Sequence, residues 1–111
     1  MTQLVPETDV ATAHRRAAAG EVLLLDVREH DEWAAGRSCL AQHRPLSVLQ
    51  LGDVATDRPV YAICRSGGRS GQAAQALRAA GLDVTNVTGG MKAWEAAGLD
   101  VICDSGPGVV A

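Results

Sequence analysis

At 111 residues and 47% hydrophobic content, the chain has the length and apolar content of one packed domain. Its net charge of −3 gives no bulk attraction to nucleic acid, and no apolar run reaches the length of a membrane span. The opening MTQLVPETDV lacks the basic start and apolar stretch of a signal peptide, so a cytoplasmic location is expected. With two Trp, one Tyr and no Phe, the core must come from Val, Leu, Ile and Ala. Cys39, Cys64 and Cys103 are odd in number, widely spaced and without a CxxC pair, which argues against both a disulfide framework and a metal site.

In chain order, Asp9 reads as a helix N-cap, with Val10, Ala13 and Ala17 at helical spacing and Gly20 as the left-handed stop. Val22-Leu23-Leu24-Leu25 is a continuous apolar run, as expected of a strand buried on both faces. Val60-Tyr61-Ala62-Ile63 is a second such run, placed after Pro59, which can begin a strand. Ala73, Ala74, Leu77 and Ala80 mark one face of a helix over residues 69–80, closed by Gly81. Residues 83–87 read as a strand. Residues 90–97 read as a short helix with Met91 and Trp94 inward, closed by Gly98 and followed by an apolar stretch at 99–102. This alternation predicts an α/β sheet with helices on both faces. Residues 1–103 are expected to form the one domain, and 104–111, DSGPGVVA, a frayed flexible tail.

The chemistry concentrates where the second apolar run stops. Cys64 is followed by Arg65-Ser66-Gly67-Gly68-Arg69-Ser70 and then a helix. Paired glycines let successive N–H groups curl inward into an anion-binding nest, and the helix adds its positive end. Arg65 and Arg69 bring fixed positive charge. Together these favour thiolate over thiol, the form a nucleophilic cysteine needs. The plainer alternative is a small core cysteine at a strand end. It leaves the glycines and arginines unexplained.

The segment from Cys64 to Ser70 resembles the active-site loop of the rhodanese family. Leu25-Asp26-Val27-Arg28 with Glu32-Trp33 resembles the family's first signature, Pro45-Leu46 the opening of its next helix, and Thr88-Gly89-Gly90-Met91 with Trp94 and Gly98 its C-terminal signature. The resemblance implies a three-layer fold with a mainly parallel central sheet of about five strands. It also implies sulfur transfer: the Cys64 thiolate takes the outer sulfur of a donor such as thiosulfate as a persulfide. An acceptor thiol, cyanide or a partner-protein cysteine then removes it. No cofactor or metal is implied. Amides of residues 65 to 69 would hold the persulfide, with Arg65 binding the donor anion and Asp26 and Arg28 in support. Arg69 would pair inward with Asp26 or Glu32, although Asp26 could equally be a strand-end cap. Trp33 and Trp94 read as core.

Two rival functions exist on this fold. Phosphatases and arsenate reductases use a longer loop, whereas four residues separate Cys64 from Arg69 here, and no loop Asp is present as a general acid. A non-catalytic binding module would lack the cysteine; a sulfur relay to a dedicated partner protein would keep it. One departure from the family pattern stands at Gly36-Arg37-Ser38-Cys39-Leu40-Ala41, where Arg37 replaces the usual His. The polar Gln42-His43-Arg44 that follows suits an edge strand. Cys39 is expected there as a partly buried inert thiol, a second reactive thiol being the alternative.

Overall fold

A computed structural model describes residues 5–54 and 57–111 of the chain. Five parallel strands form the central sheet in the order β1-β5-β4-β2-β3, with β1 at Glu7–Thr8, β2 at Leu23–Asp26, β3 at Ala41–His43, β4 at Val60–Ile63 and β5 at Val84–Val87. Every residue of β2 and β4 is buried, as the unbroken apolar runs require. Successive side chains alternate between faces. Leu23, Leu25, Val60, Ala62 and Val84 join one apolar cluster, completed by Ala73, Ala74 and Leu77 of α3 (Gly68–Ala79). Leu24, Tyr61, Ile63 and Val87 join the other, with Val10 and Ala13 of α1 (Val10–Ala18) and Met91 and Trp94 of α4 (Gly90–Ala96). The layers are thus α3 on one face and α1 with α4 on the other.

Local signals explain the element ends. The Asp9 side chain accepts from the Thr12 amide at 2.7 Å and opens α1. Gly20, Gly81 and Gly98 all take the left-handed conformation after their helices. The polar segment around Gln42 is the edge strand β3, as expected. Pro45-Leu46 opens only a short 3-10 turn at Leu46–Val48 rather than an α-helix. β1 was not legible: two residues hold no periodicity.

The C-terminal segment differs from the frayed tail expected of residues 104–111. β6 (Ile102–Cys103) and β7 (Gly106–Pro107) form an antiparallel hairpin. Val109 N–H donates to Ala35 O at 3.0 Å, Gly108 N–H donates to Val101 O at 2.9 Å, and Val110 is buried in the second cluster. The segment carries Gly and Pro but also two apolar residues, Val109 and Val110, and the buried one holds it down.

Candidate active site

In register, Asp26 pairs with Ile63, so the carboxyl ends of β2 and β4 lie side by side. Cys64 comes next, almost closed from water at 1% exposure. The chain turns through Gly67, whose φ of +113° only glycine adopts without strain, and enters α3. That turn brings two donors onto the sulfur. Gly67 N–H donates to Cys64 Sγ at 3.1 Å, and Ser70 Oγ lies 3.2 Å from it. Burial raises the Cys64 pKa, but the Ser70 hydroxyl and the amides of Ser70, Gly67 and Ser66 outweigh it, and the net shift is downward.

A second helix grips the loop from behind. Met91 N–H donates to Cys64 O at 2.8 Å and Lys92 N–H to Arg65 O at 3.0 Å. This approach needs Gly90: a Cβ there would stand 2.4 Å from Cys64 O. The Gly89-Gly90 pair is therefore part of the site's construction.

The charged residues distribute otherwise than a purely positive cradle would require. Arg69 is committed to Glu32 of α2 (His30–Ala35) through two bonds of 2.6 and 2.7 Å. Its guanidinium lowers the Glu32 pKa and is itself raised. Arg65 is exposed, and its Nε–H donates to Ala111 O at 2.9 Å. The donors on Sγ are thus Ser70 and backbone amides rather than the arginines. Asp26 does not meet Arg69. Both it and Arg28 are fully buried, paired at 2.8 Å, with Arg28 also donating to Gly36 O and Glu32 O. This pair ties the end of β2 to carbonyls in the middle and at the C-terminal end of α2, and α2 in turn presents Glu32 to the loop.

Trp94 is fully buried as expected, its indole N–H donating to Asp100 O at 3.1 Å. Trp33 is not core. It is half-buried, stacked on His43 with centroids 4.5 Å apart and covered by the Arg37 guanidinium. Arg37, at the departure from the family pattern, bridges to Ile102 and pairs with Asp104, anchoring the C-terminal hairpin. Cys39, expected to be partly buried, is exposed. Cys103 sits in the hairpin, where the Ser105 hydroxyl and amide lower its pKa. Sequence reasoning missed Asn86, a buried amide on β5 whose Nδ2 donates to Gly67 O at 3.1 Å. Its signal was a polar residue inside a short apolar strand.

Residues 9–97 match the family model described as Rhodanese-like domain. This chain belongs to the rhodanese-like domain family. It is 36% identical over 107 residues to a protein named Sulfurtransferase from Allochromatium vinosum, covering 93% of this chain and all of that one. It is 42% identical over 82 residues to the uncharacterized protein YqhL of Bacillus subtilis, covering 71% of this chain and 65% of that protein, so it spans less than two thirds of that relative. A crystal structure of a rhodanese-related protein from Thermoplasma volcanium superposes with a TM-score of 0.82 at 27% identity, covering 89% of this chain and 99% of that one. In this rhodanese-like domain the first and C-terminal signatures both pack against the Cys64 loop. The first does so through the Glu32–Arg69 pair, the C-terminal one through Gly90 and the amides of Met91 and Lys92.

Proposed function

We propose that this domain is a sulfurtransferase that carries sulfane sulfur on Cys64. The carrying observation is the pair of donors, Gly67 N–H and the Ser70 hydroxyl, on a sulfur whose pKa they hold down. The Cys64 thiolate attacks the outer sulfur of thiosulfate. The bond between the two thiosulfate sulfurs breaks, its electron pair leaves on sulfite, and Cys64 becomes the persulfide anion Cys–S–S⁻. The outer sulfur then lies ~2 Å beyond Sγ, where free amides at the start of α3 would face its charge. A nucleophilic acceptor (cyanide, a small thiolate or a partner-protein cysteine) attacks that outer sulfur, and Cys64 leaves as thiolate. Charge and atoms balance in both steps without a metal or cofactor.

Arg65, exposed at the loop's rim, is the group for the donor anion; a dianionic donor would compete with Ala111 O for it. The commitment of Arg69 to Glu32 favours sulfur over phosphate, since an oxyanion site needs its arginine facing the loop. The test is intact mass before and after thiosulfate, then after reductant. A reversible gain of one sulfur on the parent, absent in Cys64→Ala, is expected; no gain on the parent overturns the reading. Repeating the discharge with cyanide, a small thiol and candidate partner cysteines ranks the acceptors.

A further inference from the structure

Asn86 lies beneath the loop on β5, 6% exposed, and has no place in the reaction written above. Its orientation is fixed by chemistry. Gly67 O can only accept, so the amide nitrogen must face it, at 3.1 Å, and Oδ1 is thereby turned onto Ser70 Oγ at 2.6 Å. A hydroxyl has one proton. Three acceptors surround that of Ser70: Asn86 Oδ1 at 2.6 Å, Cys64 Sγ at 3.2 Å and Gly67 O at 3.3 Å. Two oxygens at 2.6 Å repel unless a proton lies between them, so in the neutral thiol state the proton belongs to Asn86. The S–H then donates to Ser70 Oγ, and the chain S–H, O–H, Oδ1 is complete.

Ionisation of Cys64 reverses that preference. A thiolate attracts the hydroxyl proton, and Oδ1 loses its donor at the cost of a buried unpaired acceptor. We propose that Asn86 is a positioning residue that competes with Cys64 for the single Ser70 proton, so that Ser70 donates to Sγ only while that sulfur carries charge. In the persulfide the charge moves to the outer sulfur and the proton returns to Asn86. When Cys64 departs as thiolate, the proton swings back. The competition also limits how far the thiolate is stabilised, which preserves its nucleophilicity, since attacking power falls with thiol pKa. The proposal deepens the sulfur-carrier reading of Cys64 and rests on it.

The charged groups nearest the loop are Arg65 and Arg69 on the loop itself, Glu32 on α2, the mutually paired Asp26 at the end of β2 and Arg28 just after it, and the exposed Lys92 on α4. The test variants leave all of them in place. The readout is the pH midpoint of Cys64 alkylation by iodoacetamide in a Cys39→Ser, Cys103→Ser background. Asn86→Leu removes the competing acceptor and should lower the midpoint by about 0.5–1 unit, the size of the one neutral hydrogen bond whose loss no longer opposes ionisation. Asn86→Ala, which removes the same acceptor without adding charge or bulk, should lower it likewise. Ser70→Ala should raise it, and in that background Asn86→Leu should change it by less than half as much as alone.

A merely structural Asn86 predicts the opposite sign, because a loosened loop moves the thiol back toward the free value. A raised midpoint in Asn86→Leu, or an undiminished shift in the Ser70→Ala background, overturns the proposal. Asn86→Ala decides the matter should Asn86→Leu not fold: a midpoint equal to or above the parent's overturns it. The sulfur-carrier reading fails separately, through the absence of a mass gain with thiosulfate, and the alkylation cycle still reads the Asn86 coupling in that case.

Discussion

Gly90→Ala isolates the clamp that α4 places on the loop. The added Cβ would stand 2.4 Å from Cys64 O and 2.7 Å from Arg65 C and O, all main-chain atoms that no side-chain rotation can move. Gly98→Ala is the control, because Gly98 has φ +77° against +57° at Gly90 but nothing within 4 Å of its Cβ position. Left-handed strain costs roughly 1–2 kcal/mol in either variant and largely cancels between them. Relief at Gly90 needs a displacement of roughly 1 Å to regain ordinary contact. That stretches Met91 N–H to Cys64 O and Lys92 N–H to Arg65 O, now 2.8 and 3.0 Å, out of hydrogen-bonding range. Two bonds at about 1 kcal/mol each make Gly90→Ala about 2 kcal/mol less stable than Gly98→Ala, or roughly 8 °C lower in Tm. Thermal and denaturant unfolding measure this, and sulfur transfer to cyanide should fall at least about tenfold in the folded Gly90→Ala protein alone. Equal stability losses in the two variants would refute the clamp.

Cys64→Ala should abolish thiocyanate formation while unfolding cooperatively, whereas Cys39→Ser and Cys103→Ser each retain most of the rate; thiocyanate assay of the three variants checks this. The alkylation midpoint of parent Cys64 should fall below that of a free cysteine measured alongside it, in line with its downward shift, and a midpoint at or above the free value would mean that burial outweighs the donors. The Glu32 carboxyl is held below its ordinary 4.5 by Arg69, so its stabilisation is present above that pH and is lost as pH falls through the lower folded value. Glu32→Gln should therefore flatten the acid limb of a stability-against-pH curve below about 4.5, measured by denaturant midpoint.

What the sequence disclosed follows how local each cause is. β4 is written in four consecutive apolar residues and was found with its true ends, and Cys64 with its glycines and following helix is local too. β2 was displaced by one residue because Asp26 is polar yet fully buried, its cost met by Arg28, two positions along. The Arg69 partner was left open between Asp26 and Glu32, since choosing requires knowing that Arg28 already occupies Asp26. Asn86, Trp33 and the C-terminal hairpin were misread or missed for a shared reason. Their roles are set by contacts between separate elements, with Gly67, His43 and Ala35, that leave no periodicity behind.

The two glycine-started helices act on different parts of the same residue, and this bears on why the loop is built as it is. α4 donates to the carbonyls of Cys64 and Arg65, fixing the backbone, while the turn into α3 sends Gly67 N–H and Ser70 to the sulfur itself. If one helix did both, any shift that accommodated an outer sulfur would also disturb the nucleophile's position. With the backbone held by α4, the proposed persulfide would meet donors of the α3 turn that do not also fix the main chain of Cys64. The Arg69–Glu32 pair belongs to the same arrangement: it ties the first turn of α3 to α2. Its guanidinium, so engaged, does not face a tetrahedral oxyanion. The short loop and the committed arginine thus support the sulfur chemistry proposed here over transfer of a phosphoryl group.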